Sequence, residues 1–158
     1  VFIIRYRRRG DRQDPEASTS HNTALEIVWT GIPLILVGFI FYFGFKSYLD
    51  MATSPSNAYE IHVAGQKWNW SFTYPNGYLD ANLHVPVDRP IQLVMSSADV
   101  IHSFWFPRLG GKRDVLPGHE TQLWFTADSA GLYLGQCAEF CGLSHALMKM
   151  QLVAESPE

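Results

Sequence analysis

Two thiols, an imidazole and a thioether fall within twelve consecutive residues of this 158-residue chain, at Cys137, Cys141, His145 and Met148. Cysteine and methionine sulfurs are soft ligands that favour copper, and imidazole suits copper as well. Three residues separate the two cysteines, so both thiolates can converge from one turn. Gly142 behind them permits a tight chain reversal. The spacing therefore predicts a metal centre carried by a single loop.

The two cysteines also admit other uses. A pair this close can form a structural disulfide in an oxidising compartment, but that leaves His145 and Met148 unexplained. Zinc is a further alternative, and the thioether argues against it. One loop can hardly close a whole site, so we expect a distant ligand. His102 is the best candidate, although a histidine in an apolar β-like stretch is alternatively a hydrogen-bonded core residue.

An uncharged run of 19 residues, 27–45, precedes this part of the chain. A helix of about 20 residues spans a hydrocarbon core of ~30 Å. Trp29, Tyr42 and Tyr48 lie near its ends, where aromatic belts occur. The alternative is the buried helix of a large soluble protein, but the rest of the chain is too small to surround it. The run predicts a transmembrane helix over residues 24–50.

The beginning of the chain is apolar and then strongly basic. Val1–Ile4 precede a set of arginines: Arg5, Arg7, Arg8, Arg9 and Arg12. Positive charge beside an apolar segment marks the cytoplasmic side of a membrane. We therefore expect residues 1–9 to be the end of a first, partly missing transmembrane helix with its basic flank. Residues 10–23 are then a cytoplasmic loop, and residues 51–158 an extracytoplasmic domain.

Residues 51–158 have the pattern of a β domain. Short alternating runs recur between turn signals such as Pro75–Gly77 and Pro117–Gly118. Strands at this spacing favour a sandwich or barrel. The predicted strands are Glu60–Val63, Trp68–Tyr74, Asn82–Val85, Ile91–Ser97, His102–Phe106, Thr121–Thr126, Gly131–Gly135 and Lys149–Ala154.

The pattern C-x-E-x-C-x-x-x-H-x-x-M, together with D-V-x-H-S at Asp99–Ser103, resembles the signature of the dinuclear copper centre, CuA, of cytochrome c oxidase subunit II. The resemblance covers nearly the whole chain. It implies a membrane-anchored all-β protein, with a transmembrane helical hairpin followed by a cupredoxin-like Greek-key β-sandwich. It also implies a ligand set: bridging Cys137 and Cys141, terminal His102, His145 and Met148, and the backbone carbonyl of Glu139.

The resemblance further implies a function. Such a subunit passes electrons from a c-type cytochrome through CuA to haem in subunit I of a proton-pumping terminal oxidase, where oxygen is reduced. The Glu139 carboxylate would hold a magnesium or manganese ion shared with subunit I. The expected partners are subunit I, other oxidase subunits and the membrane, with no nucleic acid. The expected location is the plasma membrane of a bacterium, or an equivalent energy-transducing membrane, with the copper domain on the periplasmic side.

Three further positions gain a role from the resemblance. Trp68 matches the exposed ring where the cytochrome haem edge docks, the alternative being core packing with the aromatics that follow it. Glu26 matches a glutamate at the mouth of a proton pathway, the alternative being an ordinary interfacial carboxylate. Lys112 and Asp114 match a stretch at the subunit I contact or, equally, form an exposed ion-paired turn.

Other functions fit less of the sequence. A membrane-anchored copper chaperone with a redox CxxxC pair usually has a thioredoxin-like fold and no methionine placed as Met148 is. A quinol oxidase subunit of the same fold lacks the thiols, so Cys137 and Cys141 argue against it. A nitrous oxide reductase domain shares the copper motif but is normally soluble.

The acidic surface that would steer a basic cytochrome looks thin. Its remaining candidates are Asp80, Asp88 and Asp99. Steering by charge raises association rates strongly and fades with salt. The sequence therefore favours a donor that is tethered or held in a supercomplex, because a tether substitutes a high local concentration for steering. A mildly charged soluble cytochrome is the alternative.

Overall fold

The computed structural model describes residues 1–7, 10 and 20–156. It forms two compact units, Val1–Phe45 and Lys46–Glu158. Arg8, Arg9 and Arg12 of the predicted basic flank lie outside the described residues, as does most of the predicted loop over residues 10–23.

Among the described residues before the β domain, two segments form helices: α1 over Phe2–Arg5 and α2 over Thr23–Ala52. The start of α2 is capped reciprocally. The backbone N–H of Leu25 donates to Asn22 Oδ1 at 3.1 Å, and the backbone N–H of Asn22 donates to Glu26 Oε1 at 3.3 Å. No side chain of α2 is buried within the structure. Among the described residues, α2 is the one helix long and apolar enough to cross a membrane.

The described part of the second unit contains ten strands, which confirm the all-β prediction. The strands are β1 Tyr59–Gln66, β2 Asn69–Thr73, β3 Leu79–Asp80, β4 Leu83–Pro86, β5 Pro90–Ser97, β6 His102–Phe106, β7 Gly111–Val115, β8 Thr121–Thr126, β9 Gly131–Cys137 and β10 Lys149–Glu155. They form two five-stranded sheets, ordered β3-β2-β1-β5-β8 and β4-β10-β9-β6-β7. All neighbours are antiparallel except β1 with β5 and β4 with β10, which are parallel.

Two strands are absent from the prediction. β3 is only two residues long, too short to show alternation. β7 contains Lys112 and Asp114, which one interpretation assigned to an exposed turn. That interpretation is wrong, because Gly111–Val115 pairs along its whole length with β6. Because β7 is an edge strand, it can keep three consecutive charged side chains exposed to water. These charges replace the alternation of apolar and polar residues by which a strand is recognised in the sequence.

The facing sheets bury an aromatic core beneath the loop of cysteines. Trp70 meets Phe104 edge to face at 5.5 Å between ring centroids, and Phe104 lies 5.1 Å from Phe106. Each large apolar side chain buried in this way contributes about 1.5–3 kcal/mol. Gly135 has to be glycine, because a Cβ there would lie 2.7 Å from the Phe106 ring. This close packing of β9 on the core fixes the position of Cys137, the last residue of β9.

Candidate metal centre

Backbone pairing brings the two distant parts of the site together. β6 begins at His102 and β9 ends at Cys137, and the two strands pair with Phe104 opposite Cys137. The loop after Cys137 is fastened at both ends. Ala138 N–H donates to the Ser103 carbonyl at 2.9 Å, and Cys137 N–H donates to the Met148 carbonyl at 3.0 Å. The predicted distant ligand therefore lies next to the loop.

The donor atoms of this loop converge on one small volume. The two thiol sulfurs lie 3.8 Å apart and are not joined in a disulfide. Cys141 Sγ lies 3.5 Å from His145 Nδ1 and 3.7 Å from Met148 Sδ. Cys137 Sγ lies 3.9 Å from His102 Nδ1 and 3.2 Å from the Glu139 carbonyl oxygen. The other four predicted donors thus surround the sulfur pair.

Burial keeps the Cys141 thiol protonated before any metal binds. Cys137, Cys141, His102 and Met148 are buried, whereas His145 is half-buried. Burial, and then the neighbouring Cys137, raise the pKa of the Cys141 thiol to about 11. A metal therefore has to displace a proton from Cys141 at neutral pH, as thiolate binding generally requires.

The second nitrogen of His102 is paired with a carboxylate. His102 Nε2 lies 2.8 Å from Asp99 Oδ1. Asp99 Oδ2 accepts a hydrogen bond from the backbone N–H of Lys67 at 2.8 Å. Partial burial raises the pKa of Asp99, but these bonds and that from Val100 N–H outweigh it and lower the pKa to about 2. Asp99 is therefore ionised and acts only as an acceptor, so its hydrogen bond with His102 requires a proton on Nε2.

Trp68 lies outside β2 and beside the loop of cysteines. Its side chain is 37% exposed, whereas Trp70 and Phe72 further along are buried in the core. The Trp68 indole borders Gly142, where an added Cβ would lie 3.4 Å from Nε1. Trp68 therefore lies outside the aromatic core, and its ring borders Gly142, the residue that follows Cys141.

The remaining predicted positions occupy different surroundings. The side chain of Glu139 is exposed, although its carbonyl faces Cys137. Glu26 belongs to the other unit, where it caps α2 and lies 3.7 Å from His21 Nδ1. On β7, Asp114 accepts a hydrogen bond from Ser103 Oγ at 2.8 Å, while Lys112 is exposed.

The donor set fits copper. Two thiols, two imidazole nitrogens and a thioether are the ligands that soft and borderline metals choose, and a thioether is a poor partner for hard cations. His102, Cys137 and Cys141 offer donor atoms all within 4.8 Å of one another, as one ion or a close pair requires. Because the cysteine sulfurs are buried against the core, bulk water cannot reach the site from that side.

The family model described as the periplasmic domain of cytochrome c oxidase subunit II matches residues 77–156. That segment is just over half of the chain and includes every residue of the cysteine loop. The chain belongs to the cytochrome c oxidase subunit II family.

Individual relatives are named as subunit 2 of cytochrome c oxidases or of quinol oxidases. Cytochrome c oxidase subunit 2 of Alkalihalophilus pseudofirmus is 39% identical over 98% of this chain and 47% of its own length. Quinol oxidase subunit 2 of Bacillus cereus is 32% identical over 100% of this chain and 57% of its own. The chain therefore spans about half the length of these relatives.

A solved structure matches the β domain. The periplasmic domain of subunit II of cytochrome oxidase, CoxB, of Bradyrhizobium japonicum is 33% identical with a TM-score of 0.62, over 66% of this chain and 88% of that one. A second matching structure, 30% identical with a TM-score of 0.57, is that of a mixed disulfide intermediate between thioredoxin-like TlpAs and subunit II of cytochrome c oxidase, CoxBPD. A cupredoxin-like domain attached to a membrane-spanning helix is the architecture that these comparisons support for a membrane-anchored oxidase subunit.

Sequence reasoning missed three residues of the site's surroundings. Ser103 is fully buried, and its N–H donates to Cys137 Sγ at 3.5 Å. Asp99 was considered only as a surface acid, and Gly142 only as a turn residue. The spacing of Asp99 three residues before His102 could have indicated their contact. No local pattern indicates that the Gly142 backbone lies against Trp68.

Proposed function

We propose that this chain is the subunit of a terminal oxidase that receives electrons from a c-type cytochrome and passes them to haem in subunit I, where oxygen is reduced. The observation that carries the proposal is the convergence of four further donors on one pair of cysteine sulfurs, in a chain of the subunit II family. The chaperone alternative is not favoured, because the domain has the fold of oxidase subunit II.

The proposed metal is the dinuclear CuA centre. Cys137 and Cys141 would bridge two coppers, with terminal ligands His102, His145, Met148 and the Glu139 carbonyl. When bound, the copper pair supplies a centre that gains and loses one electron with little change in bond lengths. The chain's own part is to hold the ligands rigidly. The pairing of β6 with β9 and the fastened loop ends serve that purpose.

The proposed docking surface for the cytochrome surrounds Trp68. Three apolar side chains of the cysteine loop are mostly exposed: Phe140 at 77%, Leu143 at 94% and Leu147 at 76%. Leu143 follows Gly142, against which the Trp68 ring lies. The carboxylate of Asp99, one of the few acids nearby, is engaged by Lys67 N–H and His102. These contacts support apolar docking of a tethered or supercomplex-bound donor over steering by charge.

Several finer parts of the proposal concern the assembled oxidase. The exposed Glu139 carboxylate would bind magnesium or manganese at the contact with subunit I, where Lys112 and Asp114 would also lie. Glu26, at the start of α2, would collect protons at the cytoplasmic surface. The proposed boundaries are residues 1–9, 10–23, 24–50 and 51–158, with α2 in a bacterial plasma membrane and the copper domain on the periplasmic side.

The test of the copper centre combines metal analysis with electron paramagnetic resonance of the full chain in detergent. Two coppers per chain that share one unpaired electron are expected. Cys137→Ser and Cys141→Ser should each abolish the delocalised signal. His62→Gln is the matched control, since His62 is exposed on β1 away from the donor cluster. Persistence of two coppers and the shared electron after replacement of both cysteines would refute the proposal.

A thioredoxin-like thiol reductant is a second proposed partner. The subunit II relative CoxBPD has been solved as a mixed disulfide intermediate with such a protein. In this chain the thiols of Cys137 and Cys141 lie 3.8 Å apart, so little movement would join them by oxidation and block copper uptake. Incubation of the oxidised, metal-free chain with a reduced thioredoxin-like protein should restore two free thiols. If copper uptake is the same before and after this reduction, such a partner has no role.

A further inference from the structure

Asp99 joins two parts of the site that lie 31 residues or more apart in sequence. One carboxylate oxygen contacts His102 Nε2 at 2.8 Å, and the other accepts the Lys67 N–H at 2.8 Å. Lys67 immediately precedes Trp68, whose ring borders Gly142 beside Cys141. One carboxylate therefore contacts both a candidate copper ligand and the peptide that carries the docking tryptophan.

The carboxylate is itself held in a fixed position. The backbone N–H of Val100 donates to Asp99 Oδ1 at 2.6 Å, and the backbone N–H of Asp99 donates to Ser97 Oγ at 3.2 Å. The His102 ring is fully buried and meets the Trp70 ring edge-on at 5.9 Å. The His102 side chain is not exposed to bulk solvent, and Asp99 is the hydrogen-bond partner of its Nε2.

We propose that Asp99 is a positioning residue that orients His102 toward the copper pair and ties this ligand to the Trp68 loop. This inference rests on the proposed function and deepens it. A carboxylate on the outer nitrogen of a ligating histidine fixes the ring orientation and the tautomer, and it raises the basicity of the ligand. Its second bond, to Lys67 N–H, holds the loop of Trp68 against the same ligand. Asp99 therefore serves the interior of the site and contributes little to steering the donor.

Asp99→Asn tests the inference in the copper-loaded full chain. The amide keeps the shape of the side chain but loses the charge and one of the two acceptor oxygens. His102 then becomes a weaker donor, which favours reduced copper. The equilibrium constant for one-electron reduction should rise about tenfold, which raises the reduction potential by about 59 mV. Ser97→Ala is the control, because it disturbs the same turn without removing the carboxylate from His102. The proposal would be overturned if wild type and Asp99→Asn had the same reduction potential. It would also be overturned if Ser97→Ala shifted the reduction potential as much as Asp99→Asn does.

A second measurement needs no copper, and its first comparison is made in the wild-type chain. In the metal-free wild-type chain, the Nε2–H proton of His102 should exchange with solvent at least about tenfold more slowly than the ring N–H of exposed His62, because a charge-assisted bond protects it. Asp99→Ala should remove that protection. Equally fast exchange of both histidines in the wild type would refute the contact. If exchange is slow but no shared-electron copper signal forms, the proposed function fails while the Asp99 contact stands.

Discussion

Gly142→Ala tests whether the loop conformation, rather than the ligands alone, creates the copper site. Gly142 has a φ of +120°, a backbone conformation that side chains other than glycine's rarely adopt. An added Cβ would meet Trp68 Nε1 at 3.4 Å, which is ordinary contact, so backbone strain decides the outcome. Strain of this kind costs about 1–3 kcal/mol. We take about 2 kcal/mol as the expected penalty.

The penalty should appear as weaker copper binding. The metal-free loop can relax by moving Gly142 and Trp68, and copper has to restore the strained form. A loss of about 2 kcal/mol corresponds to an affinity about 30-fold lower, since each 1.4 kcal/mol is tenfold. A competition titration of the full chain with a copper chelator measures this directly.

Gly77→Ala is the matched control for Gly142→Ala. Gly77 also has a positive φ, +82°, and nothing lies within 4 Å of its added Cβ. It belongs to the turn between β2 and β3, remote in sequence from the cysteine loop. This variant should lose stability with no change in copper affinity. Equal copper affinities of the two variants would refute the argument that the Gly142 conformation is part of the site.

Four other variants give separate expectations. Glu139→Gln should keep copper, because the backbone carbonyl remains. Metal analysis should show that the assembled oxidase has lost its magnesium or manganese, since an amide binds hard cations poorly. An unchanged magnesium or manganese content would contradict this. Met148→Leu should keep two coppers with an altered reduction potential by voltammetry, and complete loss of copper would show that the thioether is essential. Trp68→Ala should strongly slow reduction of the chain by cytochrome c while the copper signal is unchanged. In the wild type, the rate of this reduction should depend only weakly on ionic strength. A wild-type rate that falls steeply as salt is added would show that charge steers the cytochrome. Gly135→Ala should destabilise the domain by about 1–3 kcal/mol in denaturant unfolding, because its Cβ would lie 2.7 Å from the Phe106 ring; an unchanged unfolding midpoint would mean that the core has room there.

Local sequence rules were sufficient for most strands because their alternation is visible residue by residue. β6 and β8 have the predicted ends, and β9 extends two residues further, to Cys137. β7 escaped detection because its charges are those of a turn, and only pairing with β6 makes it a strand. An edge strand takes its conformation from its neighbour rather than from its own alternation.

The sequence by itself determined the chemistry of this protein. Ligand type depends on side-chain identity, so Cys137, Cys141, His145 and Met148 indicate copper before any fold is known. The apolar length of α2 likewise sets its ability to span a bilayer.

Only the tertiary structure decided which residues surround those ligands. His102 meets the loop because β6 and β9 pair, a contact across 35 residues that no local pattern encodes. Trp68 is exposed beside Gly142 while Trp70 is buried, although both are tryptophans in one aromatic segment. Asp99 is likewise the hydrogen-bond partner of His102 rather than a free surface acid. Burial and hydrogen bonding are properties of the packed chain, so the roles of these residues follow from the fold.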